Sequence, residues 1–186
     1  GLRHRGPAEV IENGMSAPGA EPGAARDIDL LFVGRLVHQK HPEAFLEAAA
    51  RLPDAPNVVM IGAGELAAQV DALAARLGLS RFRRLDGLPP DETLAHMRRA
   101  RVLAMTSRWE GLPTVAIEAA QSRALVAGVS IPPLAEVLGT LAPQTLTPPG
   151  AEALAATLSE LLGDEPRRAA LAERLHDDVR ARYSLD

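Results

Sequence analysis

The sequence predicts an α/β fold, a Rossmann-like parallel β-sheet flanked by helices on both faces. Three observations carry that expectation. Short apolar runs alternate along the chain with helical patterns of about ten residues, the order that builds parallel sheets. The runs are continuously apolar rather than alternating, so both strand faces are expected to be covered. Several runs end in glycine, where a chain can leave a strand sharply.

The elements follow in order. Residues 28–34 (IDLLFVG) read as the first strand, and Pro42 opens a helix over 42–52. Residues 57–64 (NVVMIGAG) form a second buried strand, and an amphipathic helix over 65–77 stops at Gly78. Residues 82–87 (FRRLDG) are a short strand, and 90–100 (PDETLAHMRRA) a helix with a Pro-Asp start. Residues 101–107 (RVLAMTS) give another strand, 113–122 a helix and 124–128 a short strand. A short helix over 133–138 and two closing helices over 151–162 and 165–183 complete the unit. Residues 1–27 read as a linker, because 11–27 are rich in Gly, Pro and Ala and carry no periodicity. Residues 28–186 then form one domain.

Composition narrows the function. With 47% hydrophobic and 24% charged residues, the chain is expected to be a soluble globular protein rather than a disordered one. A formal net charge of -4 and the lack of any basic block disfavour generic nucleic-acid binding. Without cysteine there is no disulfide frame and no thiolate zinc site, which fits a reducing cytoplasm. No apolar run approaches the roughly 20 residues of a membrane-spanning helix. The opening GLRHRGPAEV has no apolar core and is not a signal peptide.

In parallel sheets of this kind ligands bind outside the carboxyl ends of the strands. Those ends are Gly34-Arg35, Gly62-Ala63-Gly64, Asp86-Gly87, Thr106-Ser107 and the turn at Glu110-Gly111. Arg35 and Lys40 bracket the loop after the first strand, where a forked guanidinium and a point charge could grip a phosphate or diphosphate. Two solvated surface cations would read the same way. His38 and His41 share the loop and read as surface residues, and no second cluster suits a metal. Gly62 and Gly64 let backbone approach a ligand ahead of a helix N-terminus, but tight packing explains them equally well. The pair is not read as the full dinucleotide fingerprint, which needs a third small residue further on.

The stretch SRWEGLPTVAIEAAQ, residues 107–121, poses the sharpest question. Gly111 allows a tight turn, and Pro113 suits the first helical position. The amides of Gly111, Leu112 and Thr114 would then point out of the sheet edge towards an anion or hydroxyl. Glu110 precedes the turn. Glu118 follows on the second turn of the helix, among Val115, Ala116, Ile117, Ala119 and Ala120. A carboxylate in that setting costs free energy unless something pairs with it. A sugar or ribose diol is one fitting partner. Pairing with Arg35, Arg108 or Arg123, or plain solvation, is the other reading.

These residues, in this order, resemble the C-terminal domain of the family-4 glycosyltransferases, the glycosyl transferases group 1, which have the two-Rossmann-domain GT-B fold. The matching stretches are VIENG (10–14), LFVGRLVHQKHPE, MIGAGE, LDGLPPDE, MTSRWEGLPTVAIEAA and EVL (136–138). The Glu-x7-Glu spacing from Glu110 to Glu118 is that family's signature. The resemblance implies roles for the residues. Arg35 and Lys40 look like the pair that binds the donor diphosphate, and Glu118 like the carboxylate on the ribose hydroxyls. Glu110 looks like the residue beside the transferred sugar. Gly111, Leu112, Pro113 and Thr114 would contact sugar and phosphates, beside Gly34, Gly62 and Gly64 at the strand ends.

The implied function is that of the donor-binding half of a retaining glycosyltransferase that uses no metal and no cofactor. The donor would be a UDP-, GDP- or ADP-sugar. The acceptor, a sugar, lipid or small molecule, would be held by an N-terminal domain that the chain lacks, so the chain alone is expected to be inactive in transfer. A cytoplasmic place is implied, extending to peripheral attachment at the inner face of the membrane.

The chain also departs from the family's pattern. The family usually has Gly at the positions of His41 and Arg123, Pro at Leu125, and a Gly-Gly pair at Pro132-Pro133. Prolines there remove two amide donors. These departures motivate an alternative reading, a non-catalytic binding or interaction module that keeps the fold. A sugar-nucleotide epimerase of the same fold is a third reading, and the Glu110–Glu118 spacing speaks against it.

Overall fold

The computed structural model describes residues 25–183. Most of the 1–27 linker, the 10–14 motif and the last three residues lie outside the described residues. Six parallel strands form one sheet in the order β3-β2-β1-β4-β5-β6. They are β1 (Ile28–Val33), β2 (Val58–Ile61), β3 (Phe82–Leu85), β4 (Ala100–Met105), β5 (Leu125–Val129) and β6 (Leu146–Thr147). The helices between them are α1 (Pro42–Ala49), α2 (Ala67–Arg76), α3 (Pro90–Arg99), α4 (Thr114–Gln121), α5 (Pro132–Leu138) and α6 (Ala142–Thr145). Helices α7 (Ala151–Gly163) and α8 (Glu165–Tyr183) close the chain. The α/β sandwich expected from the apolar runs is the fold observed.

Packing follows from the runs. In β1, Ile28, Leu30 and Leu31 are fully buried, and β4 and β5 are buried almost throughout. Central strands between helix layers must be apolar on both faces. Helix α1 packs on α2 and α7, while α4 packs on α3 and α8. The Phe32 and Phe45 rings, with centroids 5.4 Å apart, lock α1 to β1.

Several boundaries differ from expectation. The second strand ends at Ile61, because Gly62–Leu66 leave the sheet to bond the loop after β1. The Leu36 amide reaches the Ala63 carbonyl at 2.9 Å, and the Leu66 amide returns to the Leu36 carbonyl at 3.0 Å. Helix α2 therefore starts at Ala67 rather than at residue 65. The sequence showed neither β6 nor the short helical turns before it. This two-residue strand has no apolar run of its own. It exists because Gly128 and Val129 of β5 pair with Leu146 and Thr147. Among the described residues no helix is long and apolar enough to cross a membrane.

The strand order reverses between β1 and β4, so the crevice opens where the loops after those two strands diverge. The loop after β2 packs against the loop after β1. A Cβ placed on Gly62 would sit 1.9 Å from the Gly34 carbonyl oxygen, and one on Gly64 2.4 Å from that of Leu36. Glycine at these positions lets the two backbones touch.

That contact sets a stability test. Gly62→Ala is expected to lower unfolding free energy by at least about 2 kcal/mol, since backbone must shift to admit the methyl group. Gly87→Ala, whose Cβ meets nothing within 4 Å, should change it by less than about 1 kcal/mol. Urea denaturation of the two variants checks the contrast.

Candidate functional site

The loops after β1 and β4 are tied together at the switch point. Thr106, just past β4, donates its hydroxyl between the carbonyls of Lys40 and His41, at 2.9 and 2.8 Å. The Arg108 amide donates to the Gln39 carbonyl at 2.8 Å, and Gln39 Nε2 donates to the Trp109 carbonyl at 2.9 Å. These bonds hold His41 at φ 49°, a left-handed conformation that disfavours side chains, in the cap position of α1. Burial, with Arg108 nearby, pushes the His41 imidazole below its ordinary range.

The clamp delivers Lys40 to Glu110. Lys40 Nζ stands 2.5 Å from Glu110 Oε1, and the two side chains are 19% and 7% exposed. Ser107 Oγ donates to the same oxygen at 2.6 Å. The stem of Lys40 packs over Gly34, whose Cβ would meet Lys40 Cδ at an ordinary 3.6 Å. Arg35 is exposed, and its guanidinium has no hydrogen bond or ion pair among the described residues. Of the two cations expected to act together, Lys40 thus has an anionic partner in the protein and Arg35 has none.

The turn before α4 differs from expectation. Pro113 has φ -79° and ψ 74° and caps the helix instead of opening it. The Thr114 amide folds back onto the Leu112 carbonyl at 2.9 Å, so it is not open to a ligand as the sequence suggested. The amides of Gly111 and Leu112 donate to no protein group among the described residues. The inverse γ-turn at Pro113 accounts for the change, since it brings carbonyl and amide together two residues apart.

Glu118 lies half-buried on α4, between the buried Ile117 and Ala119. Its carboxylate has no hydrogen bond or ion pair among the described residues. Burial pushes its carboxyl above the usual range. Of the partners considered for it, Arg123 pairs with Glu173 of α8 at 2.9 Å. Arg123 also explains its own place. With φ 57° it closes α4, as the Ala124 amide bonds the Ala119 carbonyl and its own amide that of Ala120, both at 2.9 Å.

Pro132 and Pro133 are the first two residues of α5. Helix amides at those positions have no intrahelical acceptor, so proline costs the helix nothing there. Sequence reasoning gave no role to Gln39, Thr106 or Ser107; their only signal was their place beside a strand end. It also set aside a fingerprint spacing that Gly62, Gly64 and Ala67 keep, Ala67 being the first residue of α2.

A protein-family model described as glycosyl transferases group 1 matches residues 20–177. The chain belongs to that family. It is 35% identical to a D-inositol 3-phosphate glycosyltransferase of Corynebacterium urealyticum, over 97% of this chain and 45% of the relative. It is 36% identical to a 2-deoxystreptamine glucosyltransferase of Streptomyces kanamyceticus, over 72% of this chain and 36% of the relative. The chain therefore spans less than half the length of these curated relatives. Among solved structures, S. aureus TarM superposes with a TM-score of 0.82 at 15% identity, over 92% of this chain and 36% of that one. Anabaena HepE, solved with UDP and glucose, gives 0.75 at 20% identity, over 85% of this chain and 45% of that one. The catalytic domain of a Helicobacter pylori cholesterol-α-glucosyltransferase gives 0.75 at 16% identity, over 83% of this chain and 98% of that one. The fold is that of the C-terminal half of a GT-B glycosyltransferase.

The unpaired carboxylate has a measurable consequence. Folded Glu118 holds its proton more tightly than the unfolded chain does. The stability it contributes is complete below the usual carboxylate range, about 4.3, and is lost as pH rises through the raised value. Glu118→Gln should therefore raise the melting temperature of the ligand-free protein at pH 7 by about 1–3 °C. The gain should vanish near pH 4. Scanning calorimetry at the two pH values checks this.

Proposed function

We propose that this chain is the donor-binding part of a retaining glycosyltransferase, taking a nucleoside-diphosphate sugar. The observation that carries the reading is the Lys40–Glu110 pair at the strand switch point, with Arg35 on the same loop as Lys40 and Glu118 on the helix that follows Glu110. Arg35 and the remaining protons of Lys40 would meet the diphosphate, with the amides of Gly111 and Leu112 adding dipoles. The ribose hydroxyls would satisfy Glu118. Glu110 would then lie beside the sugar, with Pro113 and the Thr114 side chain at the edge of that turn. Gly34, Gly62 and Gly64 keep the floor low enough for the donor.

Transfer would break the bond between the anomeric carbon and the diphosphate oxygen and form one to an acceptor hydroxyl oxygen, whose proton passes to the leaving diphosphate. The charge that develops on the leaving diphosphate is met by fixed cations and dipoles, which is electrostatic stabilisation without a metal. The anomeric configuration is kept. UDP is the first base to test, because HepE was solved with it; GDP and ADP are the alternatives. The acceptor is a sugar, a lipid or a small polyol, the last supported by the substrates that the two relatives' names carry. We place it on a second Rossmann-like half facing this site. The site would work in the cytoplasm or at the inner membrane face.

A second reading is a binding module without transfer. Pro132 and Pro133 favour it, since α5 presents no amide at its first two positions.

Calorimetric titration with UDP, GDP and ADP separates the two. One of them should bind with a Kd below about 1 mM, or about -4 kcal/mol. A folded sample that binds none of the three overturns the donor reading. Glu118→Ala should weaken nucleoside-diphosphate binding at least about tenfold, or 1.4 kcal/mol. Unchanged affinity would remove the ribose role. Arg35→Ala should weaken the diphosphate more than the corresponding nucleoside; equal losses would remove the diphosphate contact.

A further inference from the structure

We propose that Ser107 is a positioning residue that aims Glu110 at the sugar of the bound donor. The inference rests on the donor-binding reading above and names a residue that reading does not use.

Two donors converge on one atom. Ser107 Oγ lies 2.6 Å and Lys40 Nζ 2.5 Å from Glu110 Oε1, while among the described residues no hydrogen bond reaches Oε2. A carboxylate oxygen accepts about two hydrogen bonds along its lone pairs. Oε1 is therefore saturated by protein, and Oε2 is the oxygen left for a ligand. The last torsion of a glutamate is broad and roughly two-fold, so one donor alone does not fix it. Lys40 is a poor orienter, because its ammonium rotates on a flexible stem and accepts any approach. Ser107 has the opposite character. It is 3% exposed, on a short side chain, just past the end of a strand in register with β5. Its neighbours are both anchored, Thr106 through its hydroxyl and Arg108 through its amide. A donor fixed this firmly defines the plane of the carboxylate. Without it, Glu110 is free to turn both oxygens towards Lys40, and Oε2 is lost to the ligand.

The sugar and the nucleotide should then respond differently. The probes are UDP and UDP-glucose, or the GDP or ADP pair if titration selects that base. In Ser107→Ala, UDP-glucose affinity should fall about tenfold while UDP affinity stays within about twofold. A double-mutant cycle supplies the decisive reading. In a Glu110→Ala background, Ser107→Ala should change neither affinity further, because a residue acting through Glu110 has nothing left to act on. Equal losses for both probes, or losses that add to those of Glu110→Ala, overturn the proposal. An unchanged UDP-glucose affinity also overturns it. Should Ser107→Ala unfold, the pair Ser107→Thr and Ser107→Val decides the question. These two side chains share a shape, and only threonine keeps the hydroxyl donor. Threonine must bind UDP-glucose as serine does and valine must not; equal behaviour of the two overturns the proposal. A wild-type chain that binds no nucleoside diphosphate overturns the donor reading, and this one with it. Normal binding with an additive Ser107 effect overturns this one alone.

Discussion

The hydroxyl of Thr106, shared between the carbonyls of Lys40 and His41, is the contact on which the site's geometry depends. It joins two loops that the strand order pushes apart, since β1 and β4 send their helices in opposite directions along the sheet. A left-handed residue costs roughly 1–2 kcal/mol, and a buried hydrogen bond returns about 1 kcal/mol. Thr106 and the two bonds through Gln39 are therefore enough to hold His41 at φ 49°. With that kink fixed, Lys40 is carried to Glu110. The ion pair itself is a poor candidate for stabilising the fold. Two side chains 19% and 7% exposed lose hydration that their attraction barely replaces. A pair so placed is better explained by its chemistry than by its contribution to folding.

Beneath the clamp the constraint is steric. Gly62 and Gly64 allow the loop after β2 to lie against the backbone of Gly34 and Leu36. The floor there is thus made of main chain bonded to main chain, with the Lys40 stem packed over Gly34. This arrangement explains how the family's pattern is broken without breaking the fold. His41 and Arg123 occupy left-handed positions, where the resemblance led us to expect glycine, and each is held by contacts of its own: the Thr106 hydroxyl for His41, the Glu173 ion pair for Arg123. Pro132 and Pro133 stand where a helix has no use for an amide.

The sheet was legible because its cause is local. Runs such as those of β1 and β4 are apolar without alternation, and a strand covered on both faces is what such a short run builds. Glu118 stood out for the opposite reason, being a carboxylate among apolar neighbours, and Glu110 stood out only by its place before the turn and its spacing to Glu118. What the sequence concealed depends on partners far along the chain. Strand β6 exists through its pairing with β5. The roles of Thr106 and Gln39 depend on contacts with residues about 65–70 positions away. Pro113 fits both the first helical position and the residue before it, and the back-folded Thr114 amide decides between them. Spacing along the chain reports neighbours on one element; it is silent on which loops meet.

The groups left without protein partners restrict what the crevice can accept. Among the described residues the Arg35 guanidinium, the Glu118 carboxylate, and the amides of Gly111 and Leu112 are such groups. An inorganic anion would satisfy the cation and the amides, yet would repel the carboxylate. A free sugar would satisfy the carboxylate through two hydroxyls, yet would leave the cation and amides in search of charge. An apolar ligand would satisfy none and would desolvate all of them. Under the donor-binding reading, a single molecule with an anionic segment and a vicinal diol would meet these requirements together. Glu110, already neutralised by Lys40, adds no net repulsion to the anion's approach. In the donor-binding reading, the pair would let a carboxylate stand beside a diphosphate, where an unpaired one would weaken its binding.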